Sequence, residues 1–249
     1  MNSFMMKQVE HFDNLQPFSH TVYGCRIYSI AEAYGLDEPF AQFWCQDDRA
    51  AVAKIDSVLV LDLYDGADLE EVASFCRMVG AEKVLCDANA AKKLGFSAAM
   101  SGPLMMAQNE EKPLIIPEHE FNPSIRELYN LLQDSETETF RAPEFESFYM
   151  DLSHRIRHGT AAAAGIRKNG CLEAVAVCTA QACGKAVISS VAVRPGARRN
   201  GLGSGIVRAL ASHLPQRELY VFRAERENEH FYQNLGFQDC GKWAECGLS

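Results

Sequence analysis

The stretch Val191 to Arg208, VAVRPGARRNGLGSGIVR, constrains the fold of this chain more than any other. An apolar, β-branched run passes Pro195, enters a corner carrying Arg198, Arg199, Gly201 and Gly203, and leaves as an amphipathic helix. Such a corner is an anion site. The first N–H groups of a helix have no intrahelical partner, and the helix dipole is positive there. Gly201 and Gly203 let the backbone approach a ligand without a β-carbon in the way. Arg198 and Arg199 add permanent charge, so the corner suits a diphosphate. It is not a P-loop, because no Gly-Lys-Ser/Thr follows the glycines. It is not the dinucleotide fingerprint either, since the position three after Gly203 is Ile206.

Charge sharpens this reading. The formal net charge is −9, which argues against nucleic acid as a partner for the whole surface. A local cationic spot (Arg194, Arg198, Arg199) in an acidic chain points to a local anionic ligand, while the acidic remainder tolerates a cationic acceptor such as an amine. No run approaches the roughly 20 apolar residues that span a bilayer. The start, MNSFMMKQVEHFDN, lacks the apolar run of a secretory signal. Neither membrane nor export is expected. The nine cysteines have no C-x-x-C spacing, and most sit in apolar runs such as KVLCD and AVAVCTA. They read as reduced packing thiols of a cytoplasmic protein.

The remaining elements can be placed by period and punctuation. In the first half, FAQFWCQ and AVAKIDSVLVLDL read as strands, Ala67 to Val79 as a helix, Lys83 to Cys86 as a strand, and Ala88 to Leu94 as a helix stopped by Gly95. Prolines 103, 113 and 117 around a polar QNEEK run mark a domain boundary, dividing the chain into residues 1–112 and 113–249. Beyond it, PSIRELYNLLQ and EFESFYMDLSHRIR read as helices. Two apolar runs joined across Asn169-Gly170 read as a hairpin. Lys185 to Arg194 is a third strand, Gly203 to Leu214 a helix, Arg217 to Ala224 a strand, and Glu227 to Leu235 a last helix stopped by Gly236. Both halves end in the same order: helix, short strand, short helix, Leu-Gly-Phe. Internal duplication and chance likeness of amphipathic segments both fit. The first half differs at its strand-to-helix corner, LDLYDGADLEE, where Asp62, Asp65, Asp68, Glu70 and Glu71 would repel a phosphate.

Arg198-x-x-Gly201-x-Gly203, preceded by V-x-V-x-P and followed by a helix, resembles motif A of the GNAT N-acetyltransferase superfamily. The NLGF ending, with Tyr232 four residues before Gly236, resembles motif B of that family, and the likeness covers about Glu120 to Gly241. It implies an α+β GNAT fold: a mixed, mostly antiparallel twisted sheet flanked by helices, preceded here by a smaller α/β domain that the repeat would make a degenerate GNAT-like copy. It also implies acetyl-coenzyme A as cosubstrate and a primary amine as acceptor. The backbone of Val191, Ala192 and Val193 would pair with the pantetheine arm like an added strand. N–H groups of Arg199, Gly201, Gly203 and Ser204 would hold the diphosphate, with Arg198, Asn200 and Leu202 lining the same corner. Tyr232 would protonate the departing thiolate; an unperturbed pKa of about 10 keeps it a donor at neutral pH.

Two departures stand out. The family's asparagine seven residues before the tyrosine is Glu225 here, and Asn228, four before, is an open match that could cap the helix or touch the coenzyme. Arg199 replaces a more usual small residue. The family often places a general base on the central strands, where this chain offers only Ser189 and Ser190; Glu173, Glu225 and His158 are further candidates. An intact Tyr232 and glycine corner favour an enzyme over a non-catalytic acyl-coenzyme A sensor or interaction module. The acceptor, the acyl length and the choice between monomer and homodimer are not readable from the sequence.

Overall fold

The structure, a computed structural model, describes residues 5–109, 117–137, 140–225 and 227–248. Contacts divide the chain into two compact units. The first is Met1–Met105 with Phe222–Glu227 and Asp239–Ser249; the second is Met106–Val221 with Asn228–Gln238. The expected junction at residues 112/113 lies outside the described residues. Among the described residues no helix is long and apolar enough to cross a membrane.

The first unit runs β1 (Lys7–Gln8), a 3-10 turn at Phe12–Phe18, α1 (Val22–Tyr34), β2 (Ala41–Gln46), β3 (Ala50–Ile55), β4 (Val58–Leu63), α2 (Leu69–Met78), β5 (Lys83–Asp87), α3 (Ala88–Lys93) and β6 (Ala98–Gln108). Strands β1 to β4 are antiparallel neighbours, and β4 pairs β5 in parallel over Val58–Val60. The expected strand AVAKIDSVLVLDL is a hairpin, because Asp56 takes a left-handed turn with φ 51°. The pattern break expected from Ser101 onward gives way, up to Gln108, to the strand β6. Its Pro103 needs no N–H there, since what it offers is a carbonyl accepting from Arg223 N at 3.1 Å. Helix α1, unread in the sequence, starts at Thr21, whose Oγ1 accepts from Gly24 N at 2.9 Å.

The C-terminal strand β12 (Gln238–Gly247) pairs antiparallel with β5, Trp243 opposite Asp87 and Gly247 opposite Lys83. Ala244, Cys246 and Leu248 thereby join Leu59, Leu61, Val72, Cys76, Val84 and Cys86 in one core. Burial pushes the thiol of Cys76 up to about 12, which keeps it an inert packing group. Five of the nine cysteines are buried, whereas Cys171 and Cys240 are exposed.

The second unit runs β7 (Glu120–Phe121), α4 (Ile125–Asp134), α5 (Phe145–Arg157), β8 (Ala162–Lys168), β9 (Cys171–Ala182), β10 (Lys185–Val193), a 3-10 turn at Pro195–Ala197, α6 (Leu202–His213), β11 (Glu218–Phe222) and α7 (Glu229–Gln233). The sheet order is β11-β10-β9-β8-β7. It is antiparallel except for β10 and β11, which pair in parallel over Lys185–Val187 and Glu218–Tyr220. The Asn169-Gly170 turn has φ 51° and 81°, as a two-residue hairpin with the sheet's twist requires. Leu128, Leu131 and Leu132 of α4 and Leu152 of α5 pack on Ala161, Ala163, Val175, Val177 and Ala192. Alternation turns Ala162, Ala164 and Ile166 to the opposite face, where Ile166 meets α6: a β-carbon on Gly205 would lie 3.8 Å from Ile166 Cδ1 and only 2.8 Å from Pro117 Cγ. The order α2-β5-α3 in the first unit thus returns as α6-β11-α7 in the second, each after a parallel pairing three residues long.

Candidate functional site

Strand β10 is interrupted before it reaches the corner. Ser189 pairs with Val177 and Ala192 with Val175, so Ser190 and Val191 together oppose Ala176 alone. Ser190 takes φ 43°. This is a β-bulge, and it re-aims the strand's last residues. Pairing with β11 covers only Lys185–Val187, so Val191, Ala192 and Val193 lie beyond the parallel ladder. Ser189 Oγ is buried without a hydrogen-bond partner among the described residues.

The corner follows. Ala197 N donates to the Arg194 carbonyl at 2.9 Å, closing the 3-10 turn. Arg199 and Gly201 are both left-handed, with φ 67° and 75°. Helix α6 begins at Leu202, and no side chain caps it. Its first backbone bond runs from Gly205 N to the Gly201 carbonyl at 2.9 Å, so the N–H groups of Leu202, Gly203 and Ser204 have no intrahelical acceptor. A β-carbon on Gly203 would lie 3.2 Å from Phe231 Cε2 and 3.5 Å from Val193 Cγ2. Gly203 is where the end of β10, the start of α6 and helix α7 converge.

On α7, Tyr232 is 8% exposed, its ring 4.9 Å from that of Phe231 and 5.6 Å from that of Phe237. Burial pushes its hydroxyl up to about 12. Asn228 stands at the N-cap with φ 56°, yet its side chain makes no capping bond.

The family model described as the acetyltransferase (GNAT) family matches residues 125–237. That span runs from α4 through the bulged strand, the uncapped corner and the tyrosine helix. Residues 125–237 are a GNAT acetyltransferase domain. Solved structures agree over nearly the whole chain. A protein described as a tandem GNAT protein from the clavulanic acid biosynthesis pathway has a TM-score of 0.60 at 12% identity, covering 98% of both chains. A Drosophila protein gives 0.65 at 15% identity, with 97% of this chain and 98% of its own covered. A GCN5-related N-acetyltransferase from Sphaerobacter thermophilus gives 0.60 at 14%, with 98% and 95% covered. These identities establish the fold alone: a GNAT fold preceded by a GNAT-like unit. No curated protein matches the chain. The matched family model supports acyl-coenzyme A-dependent acetyl transfer for residues 125–237.

Within the GNAT domain the arginines separate. Arg194 belongs to the scaffold: Nη1 donates to Asp134 Oδ2 at 3.1 Å and Nη2 to the Leu172 carbonyl at 3.0 Å. Glu173, a candidate base, is drawn into the same knot, 3.5 Å from Arg194 Nε. His158 is exposed at the C-terminal end of α5, stacked on His154 at 4.2 Å. Glu225 is an exposed turn residue that groups with the first unit. Among the described residues, no hydrogen bond, ion pair or ring stacking joins Glu173 or His158 to Tyr232 or to the bulge. The bulge itself went unread, because a Ser-Ser pair within an apolar strand does not say which residue slips out of register.

The first unit's corner is built the other way. Asp68 caps α2, its Oδ1 accepting from Glu71 N at 3.1 Å. Its own N–H donates to Gln46 Oε1 at 2.7 Å. Arg49 Nη1 donates to the Gly66 carbonyl at 3.2 Å. A carboxylate of the chain already occupies the place an anion would take.

Proposed function

We propose that the GNAT domain acetylates a primary amine of a small molecule, peptide or protein, with acetyl-coenzyme A as donor and Tyr232 as general acid. One arrangement supports this: the uncapped start of α6 lies against both the end of β10 and the helix carrying Tyr232, through Val193, Gly203 and Phe231. Backbone groups of Val191, Ala192 and Val193 take the pantetheine arm as an added strand where pairing with β11 has ended. N–H groups of Arg199, Gly201, Gly203 and Ser204 take the diphosphate, flanked by Arg198, Asn200 and Leu202.

The uncharged amine nitrogen attacks the thioester carbonyl carbon. As the C–N bond forms and the C–S bond breaks, the carbonyl oxygen's charge is met by backbone N–H near Val193. The Tyr232 proton passes to the departing sulfur, and the proton that the amine sheds leaves to solvent. Burial that lifts the tyrosine keeps it protonated, and it makes a thiolate expelled beside it more basic as well.

The test is calorimetry with acetyl-coenzyme A, joined to an amine screen for coenzyme A release. Tyr232→Phe should lower turnover by about 10²- to 10⁴-fold while coenzyme binding persists. Absence of heat in the parent would sink the proposal, as would full turnover by the variant. Binding without turnover of any amine would instead favour an acyl-coenzyme A sensor.

A further inference from the structure

In the first unit, strands β4 and β5 separate after a short parallel pairing that ends at Val60 opposite Leu85. Beyond it β4 follows β3, with Asp62 opposite Ala51, and β5 follows β12, with Asp87 opposite Trp243. Asp62 and Asp87 each stand two residues past the last β4–β5 pair, so both carboxylates leave the sheet on one face. Their neighbours Leu61 and Cys86 leave it on the other, into the core shared with α2 and α3. In the second unit the matching place, two past the last β10–β11 pair, holds Ser189. The acid is peculiar to the first.

Helix α1 covers the face that bears the carboxylates. Thr21 Oγ1 donates to Asp62 Oδ2 at 2.6 Å, and a β-carbon on Gly24 would lie 3.2 Å from the same oxygen. Tyr64 and the Leu63 N–H also bond Asp62, and Asp87 spends Oδ1 on the N–H groups of Asn89 and Ala90. Tyr23, on the same turn as Gly24, is 5% exposed, and its hydroxyl is buried with no hydrogen-bond partner among the described residues. Its ring meets Phe222 edge-on at 5.8 Å, and Phe222 lies 6.2 Å from Trp243, the residue opposite Asp87. Burial and the charges of Asp87, Cys86 and Asp62 push its ionisation up, while Arg26 of α1 pulls the other way. The orphan hydroxyl thus faces both carboxylates where the two strands diverge. What the three oxygens lack together is a donor that carries positive charge.

We propose that the notch between β4 and β5 is a binding site for a small primary ammonium ion, held by Asp62, Asp87 and the Tyr23 hydroxyl. An ammonium group brings three N–H donors, one for each residue, and a charge that offsets the buried carboxylates. Every group named lies in the first unit, so the site goes beyond the coenzyme site and does not depend on it.

The test follows unfolding midpoints of the full chain in methylammonium chloride and in tetramethylammonium chloride, whose cation has equal charge but no N–H. At pH 8 methylammonium should raise the parent's midpoint with saturation, and tetramethylammonium should not. Because Asp62 ionises at about 7, apparent binding should be about tenfold weaker at pH 6, where that carboxyl holds its proton. Asp62→Asn should respond to the two salts alike at either pH. Tyr23→Phe, which keeps the ring, should bind methylammonium about tenfold more weakly than the parent. The site is refuted if the two salts act alike on the parent, or if Asp62→Asn keeps the parent's response. It is refuted equally if Tyr23→Phe binds as tightly as the parent, which would leave the hydroxyl a packing group. Calorimetric heat with acetyl-coenzyme A should be the same in both variants as in the parent, so failure here is separable from failure of the coenzyme site.

Discussion

Asp62 stands at the end of β4, 3% exposed, accepting from Thr21 Oγ1 at 2.6 Å. Burial raises its carboxyl to about 7, against an ordinary value of 3.8, while the bonds from Thr21 and Tyr64 pull it partway back. The folded state therefore resists ionisation of this group more than the unfolded chain does. Its contribution is fully present below about pH 4 and is lost as pH rises through 7. On linkage alone the loss by pH 8 is on the order of 4 kcal/mol. Thr21 also caps α1, so the charge bears on the start of that helix. Denaturant midpoints at pH 5 and pH 8 should fall for the parent and stay nearly level for Asp62→Asn. An equal fall in both would show that another group titrates.

At the scale of elements, helix α6 is positioned by close approach at Gly203 and Gly205 in its first turn. Gly205 leaves room for Pro117, whose Cγ would be 2.8 Å from an added β-carbon. Gly205→Ala should cost about 1–3 kcal/mol, as overpacking does, read from urea unfolding of the parent and variant. On the opposite face of the sheet, Leu132 is fully buried between α4 and the strands. Leu132→Ala should cost about 2–5 kcal/mol for the lost burial and the cavity left behind. The two substitutions probe two separate packings of the same sheet. Both should lower the unfolding midpoint, and Leu132→Ala should lower it more.

For the whole molecule, the chain's last strand completes its first unit. Residues 239–248 supply Ala244, Cys246 and Leu248 to the core around Leu59 and Val84, and pair β12 with β5. Truncation after residue 237 should therefore expose the core of the first unit, far from the cut in sequence. Hydrogen exchange of β4 and β5 amides should rise sharply, and unchanged protection there would refute that dependence. The first unit's corner is closed by Asp68 and Gln46, so one acetyl-coenzyme A per chain is expected. A calorimetric stoichiometry of two would show that both corners open.

The GNAT character was legible in the sequence because its signals are local. Gly201 and Gly203 mark a corner, Asn169-Gly170 a turn, and the run PSIRELYNLLQ a helix, each set by backbone sterics over a few residues. The repeated helix-strand-helix order was visible for the same reason. Three things had no local signal. The bulge at Ser190 depends on how β10 registers against β9. The neutralisation of Arg194 depends on Asp134, sixty positions away. The capture of β12 by the first unit depends on a core that forms only when both ends of the chain meet. Local preferences name the elements and the glycine-bearing corner. Long-range packing decides their register, which charges stay free for a ligand, and which unit owns the final strand.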